Sequence, residues 1–152
     1  MIKSPSHGAF FLYSCRFIYV KKIFLYISLL LIYNPISGVN YDSLFSVWNN
    51  SSENDTNRLK AIQMLISQKY MLTNPDSTIL LANNMYDLAF KRHKIKWMAN
   101  SLKFSGIGHY YKSELKLCLE DFKKSVSLFN SIKRNLDAAL VLNNMAAVYR
   151  LK

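Results

Sequence analysis

Three histidines, two cysteines and one adjacent acidic pair are the residues of this 152-residue chain best suited to acid–base, nucleophilic or metal chemistry. His7, His93 and His109 are too scattered to share a metal ion, and no Cys/His spacing of a metal site accompanies them. Glu120 and Asp121 are neighbours, so on a helix their carboxyls point about 100° apart and cannot flank one reacting bond. There is no glycine-rich phosphate loop and no Ser-His-Asp set in a supporting context. Cys118 falls on an apolar helical face, where a thiol packs rather than reacts. If Cys15 leaves with a cleaved N-terminal segment, Cys118 has no disulfide partner. These residues read as core or surface positions, and the sequence predicts no enzyme, no cofactor and no metal.

The elements that hold them are helical. Four glycines and three prolines leave few turn points, and 51% hydrophobic with 14% aromatic residues is ample for a packed core. No run of β-branched residues alternates with polar ones as a strand would.

The N-terminus is a separate segment. Behind Arg16, Lys21 and Lys22 come the eleven residues Ile23–Tyr33, "IFLYISLLLIY", then "NPISG". A basic stretch, a short apolar run and a small residue at Gly38 form an export signal. Eleven apolar residues fall short of the roughly 20 of a membrane span. Residues 1–38 are therefore expected to be a signal peptide, or alternatively an uncleaved inner-membrane anchor, with the rest periplasmic or membrane-associated. Lys3, Arg16, Lys21 and Lys22 supply part of the +11 charge; residues 39–152 keep sixteen cations and nine anions, a net +7.

Residues 39–55 hold a short amphipathic stretch (Tyr41, Leu44, Phe45, Trp48) and a polar loop with N-x-Ser/Thr triplets at Asn49, Asn50 and Asn54, read as solvated. Helical periodicity then starts near Thr56 with Leu59, Ile62, Leu65 and Ile66. Asn74 and Pro75 open a second helix bearing Ile79, Leu80, Ala82, Met85, Tyr86 and Ala89, which ends in "KRHKIK". Residues 97–129 read as two more, although Gly106 and Gly108 sit inside the first, where each costs about 1 kcal/mol relative to alanine.

Shifted by 40 residues, the chain matches itself. Ala99 falls on Ala139, Leu102 on Leu142, Gly106 on Ala146 and His109 on Tyr149; in the other direction Leu102 falls on Ile62, Tyr110 on Tyr70 and Phe122 on Ala82. Such a period predicts an all-α helical-hairpin solenoid, about 2.5 repeats over 56–96, 97–135 and a partial 136–152.

Leu102, Ser105, Gly106, His109, Cys118 and Phe122, with small Ser125 one turn later, follow the spacing W-x2-L-G-x2-Y…A-x3-F; Leu142, Met145, Ala146 and Tyr149 repeat its first half. The chain thus resembles a tetratricopeptide (TPR) array over residues 56–152. It departs from that pattern in Ser105, in lacking the tryptophan, and in a repeat of 40 rather than about 34 residues. The resemblance accounts for Gly106, which lies where the two helices of a repeat approach most closely, opposite Cys118. It gives no account of Gly108, so Gly108→Ala is expected to be neutral or stabilising. More narrowly, "YDSLFSVWNN", "NPDSTILLANNMYDLAF" and "KWMANSLKFSGIGHYY" look like the exported leader region of bacterial membrane signalling proteins with class III adenylate/guanylate cyclase or histidine kinase outputs. On that likeness, a chain stopping at "NNMAAVYRLK" is expected to be a truncated piece of such a protein.

The resemblance implies a non-catalytic protein-interaction scaffold whose concave groove holds a protein or peptide of unknown identity. Its candidate groove residues are Asn100, Lys103, Ser105, His109, Asn143 and Asn144, whose amides can bond a peptide backbone. The alternative use of the chain is nucleic-acid or anionic-surface binding through Lys91, Arg92, Lys94 and Lys96, which would be strongly salt-dependent. Export argues against nucleic acid, and the membrane is met only through the N-terminal segment.

Overall fold

The computed structural model describes residues 38–151. The chain divides into two units, Met1–Val39 and Asn40–Lys152, and the helices described here belong to the second. The expected export segment lies outside the described residues. Among those residues there are only helices and turns, and no helix is long and apolar enough to cross a membrane.

The six helices are α1 (Tyr41–Asn49), α2 (Asp55–Leu65, continued by a π-helical turn Ile66–Tyr70), α3 (Pro75–Lys91), α4 (Ile95–Tyr111), α5 (Leu115–Ser131) and α6 (Asn135–Tyr149). Asparagine starts the first three. Asn40, Asn54 and Asn74 place a side-chain oxygen on the backbone N–H of Ser43, Thr56 and Ser77 at 3.0, 2.8 and 2.9 Å, satisfying donors that a helix start leaves free. Pro75 follows Asn74 in the first turn of α3, as its residue type predicts. The Asn54 cap, together with the bond from Ser52 N–H to Asn50 Oδ1, engages two of the three N-x-Ser/Thr asparagines locally.

The later helices begin differently, because each enters directly from the turn that ends its predecessor. At His93, Ser113 and Lys133 the backbone is left-handed, with φ of 53°, 61° and 56°. The following N–H reaches back five residues, from Lys94 to Ala89, Glu114 to His109 and Arg134 to Phe129, at 2.8–2.9 Å. The left-handed residue itself bonds back three, to Phe90, Tyr110 and Asn130, at 3.0–3.1 Å. This is one helix-ending motif made three times, 20 residues apart, without the glycine that usually supplies it. Lys133→Gly is expected to raise stability by about 0.5–1 kcal/mol, since glycine carries no Cβ penalty at positive φ; Lys133→Ala should bring no gain, and thermal melts compare the two.

Consecutive helices pack on one another, α4 most extensively against α3 and α5. Two apolar clusters result. In the first, Leu59, Ile62 and Ile66 meet Met85 and Ala89 of α3 and Phe104 of α4; in the second, Cys118, Phe122 and Phe129 of α5 meet Val141, Met145 and Val148 of α6. Burial of Cys118, with Asp121 nearby, pushes its thiol pKa up to about 11, as expected of a packing cysteine. Buried Ser125 joins the layers by donating to the Ala99 carbonyl at 2.8 Å. In α3 the inward residue is Leu81, whereas Leu80, expected on the apolar face, is 61% exposed.

A helix covered on two sides needs two points of close approach, and the glycines of α4 supply one each. A Cβ on Gly106 would lie 2.7 Å from the Phe122 ring and 3.2 Å from the Cys118 carbonyl oxygen. The expected small contact at Gly106 is therefore real, but it is the ring of Phe122 and the backbone of Cys118 that fill it. Two residues on, about 200° around the helix, a Cβ on Gly108 would lie 2.6 Å from Ile79 Cγ1 and 3.1 Å from the Pro75 carbonyl oxygen. This corrects the expectation for Gly108: it is where α4 meets the start of α3, and alanine does not fit there.

Candidate interaction groove

Helices α2, α4 and α6 start at residues 55, 95 and 135 and turn equivalent positions into one shared groove. Gln63, Lys103 and Asn143, 40 residues apart, form a polar row along it, with Ser67 and Ile107, also 40 apart, beside them. Met71, Phe104 and Leu140 give it an apolar lining, and Asn144 lies beside the polar row. Towards the α4–α5 turn the lining becomes aromatic with Tyr110 and Tyr111, whose rings meet edge to face 5.5 Å apart.

No protein-family model, characterised protein or solved structure matches the chain. What the groove can do therefore rests on its own residues.

Lys103, Asn143 and Asn144, three of the six residues expected to line a groove, do line it. The other three are placed elsewhere. Asn100 and Ser105 are buried, 7% and 5% exposed, because α4 is packed on both flanks and little of its surface remains free. His109 turns towards α5, with Nδ1 2.6 Å from Glu114 Oε2 and Nε2 3.8 Å from Asp121. Among the positions read as repeat contacts, Gly106, Cys118, Phe122 and Ser125 are buried and Leu102 is half-buried. Leu142, Ala146 and Tyr149 are instead exposed, since no described helix covers the face of α6 that corresponds to the α5-facing side of α4. In α6, Met145 and Val148 point into the core while Leu140 is 59% exposed. Gln63, Ser67, Phe104 and Ile107 had no chemistry to mark them in the sequence; applying the 40-residue offset to Lys103 and Asn143 would have found Gln63.

Lys103 is the charge of the groove. Burial pushes its pKa down, and the charge of Asp137 works against that. Its ammonium rests 5.0 Å over the ring of Phe104 and makes no ion pair among the described residues. A partly buried ammonium with no carboxylate in direct contact leaves donor capacity for an incoming acceptor. The basic turn after α3 is less available: Arg92 is held by Asp55 at 2.6 Å, and Lys96 lies 5.6 Å from the centroid of the Trp97 ring.

A polar cluster ties the α4–α5 turn to the start of α3. Lys112 bridges Asp76 at the start of α3 (2.7 Å) and Glu114 (3.4 Å), which in turn accepts from His109. The His109 bond, with Lys112 beside it, holds the Glu114 carboxyl below its ordinary value of 4.5. A lowered folded pKa means that the stabilisation is present above that ordinary value and is lost as pH falls through the folded one. Glu114→Gln is thus expected to melt below wild type at pH 7 and to converge with it in acid, a difference that melts across pH will read. Among the described residues no group of His, Cys, Asp and Glu could hold a metal ion.

Proposed function

We propose that the chain is a non-catalytic protein-interaction module of tetratricopeptide type that holds an extended peptide or partner helix in the groove of α2, α4 and α6, as the sensing or docking part of a signalling protein. The observation that carries this reading is the row Gln63, Lys103, Asn143: one position of the 40-residue period, presented three times on one surface above Phe104 and Leu140. Amides spaced along an apolar floor suit a peptide backbone, and Lys103 suits an acceptor on the ligand, a carboxylate giving the strongest bond. Nucleic-acid binding is the less supported reading, because Arg92 of the basic turn is already paired.

Peptides selected from a random library on the full chain test it. They should compete with one another, favour acidic residues and lose affinity about tenfold or more on Lys103→Ala, the scale of one charge-assisted hydrogen bond. Double replacement of Lys91 and Lys94 by alanine should leave them unaffected. Binders indifferent to Lys103→Ala and Asn143→Ala, or salt-sensitive oligonucleotide binding abolished at Lys91 and Lys94, would overturn it.

A further inference from the structure

Helix α1 contributes no fully buried residue; Trp48 packs against the first cluster, and two cations of α2 and its π-helical turn reach the aromatic side chains of α1. Arg58 of α2 lies 5.3 Å from the centroid of the Trp48 ring and donates through Nε to the Trp48 carbonyl at 3.0 Å. The second cation is Lys69. Its ammonium stands 5.2 Å from the ring centre of Tyr41, 5.3 Å from that of Phe45 and 5.2 Å from that of Tyr70. The rings of Phe45 and Tyr70 meet edge to face at 6.4 Å, and the Tyr41 hydroxyl points to the Gln68 carbonyl at 3.4 Å. Among the described residues Lys69 forms no ion pair, and the three rings flank its ammonium.

The backbone is shaped for this arrangement. Lys69 belongs to the π-helical turn, where Met71 N–H bonds five residues back to Ile66 at 2.8 Å. A wider turn of this kind re-aims the side chains it carries and is common at functional positions. Forty residues on, in regular α-helix, His109 faces α5; Lys69 faces α1 instead.

We propose that Tyr41, Phe45 and Tyr70 form an ammonium-binding cage filled in cis by Lys69, that this occupancy fastens α1 to α2, and that an alkylammonium is the ligand class the cage accepts when Lys69 is withdrawn. Aromatic faces attract a cation through their quadrupole, and cages of two or three rings are how proteins hold alkylated ammonium groups. Removing the ammonium leaves α1 with the packing of Trp48 on the first cluster, the Arg58 bond and its half-buried Leu44 and Val47.

Hydrogen exchange on the full chain tests this directly. In Lys69→Ala the amides of Tyr41–Asn49 should exchange about threefold faster or more, the scale of a cation–π contact that is not fully desolvated, while α3 to α6 keep their protection; Lys69→Arg should stay near wild type. Tetramethylammonium chloride added to Lys69→Ala should restore protection of α1 and shift the ring resonances of Tyr41, Phe45 and Tyr70, where sodium chloride at equal ionic strength does not. Unchanged exchange of α1 in Lys69→Ala, or equal effects of the two salts, overturns the proposal. Loss of protection throughout the chain overturns it too, since Lys69 would then support the whole fold.

Discussion

Phe122→Ala is expected to cost about 3–5 kcal/mol, the range for deleting a buried aromatic ring from a core that cannot collapse onto the space. Phe122 is 1% exposed, lies across Gly106 and shares its cluster with Leu119 and Val141. The backbone of α4 already approaches as closely as glycine permits, so no neighbouring side chain from that helix can move in to fill the hole. Against total stabilities of about 5–15 kcal/mol this is a large fraction. Urea denaturation followed by circular dichroism will measure it, with Phe90→Ala as the control. Phe90 is 60% exposed and stacks on Tyr86, and its loss should stay within about 0.5 kcal/mol. Comparable losses at both positions would mean that the α4–α5 seam is not the tight contact described.

Alanine at Gly106 or at Gly108 is expected to destabilise by about 1–2 kcal/mol, against the gain of about 1 kcal/mol that helix propensity alone would bring. The sign is decided by what each Cβ meets. At Gly106 it is a buried ring at 2.7 Å, and at Gly108 it is Ile79 Cγ1 at 2.6 Å with the Pro75 carbonyl oxygen behind. Neither is the free end of a flexible side chain. The two contacts lie on different helices, which a double-mutant cycle can separate. With Phe122→Ala in the background, Gly106→Ala should lose most of its cost, while the cost of Gly108→Ala should persist. Stabilisation by Gly108→Ala would refute the contact with α3.

How far the sequence could be read follows from how local each signal is. Asn74–Pro75 marks the start of α3 because cap and proline chemistry act within one turn, and the 40-residue self-match anticipates repeats from 56, 97 and 136, one or two residues past the helix starts at 55, 95 and 135. The turns at His93, Ser113 and Lys133 were invisible, since left-handed backbone is normally announced by glycine or asparagine and these residues announce nothing. The π-helical turn at Ile66–Tyr70 is likewise a change of hydrogen-bond partner without a compositional mark. For the groove, polarity identified Lys103, Asn143 and Asn144 but misplaced Asn100 and Ser105, because the face a polar residue occupies depends on how many neighbours its helix has. Gly108 has no account in the sequence because the repeat pattern marks the contact within a helix pair, whereas Gly108 meets Ile79 and Pro75 of the preceding helix. Leu142, Ala146 and Tyr149 show the converse: an offset transfers a residue's place in the helix but not the neighbour that would cover it.

The pairing of each helix chiefly with the one before and the one after bears on how the chain reaches this state. Core partners such as Phe122 and Val141, or Leu59 and Met85, are separated by less than one 40-residue period, so little loop-closure entropy is spent before a contact forms. Low contact order of this kind puts folding in the microsecond-to-millisecond range and allows structure to nucleate at any hairpin and spread to its neighbours. Nascent α2 and α3 could therefore pack as a pair while α5 and α6 were still being synthesised.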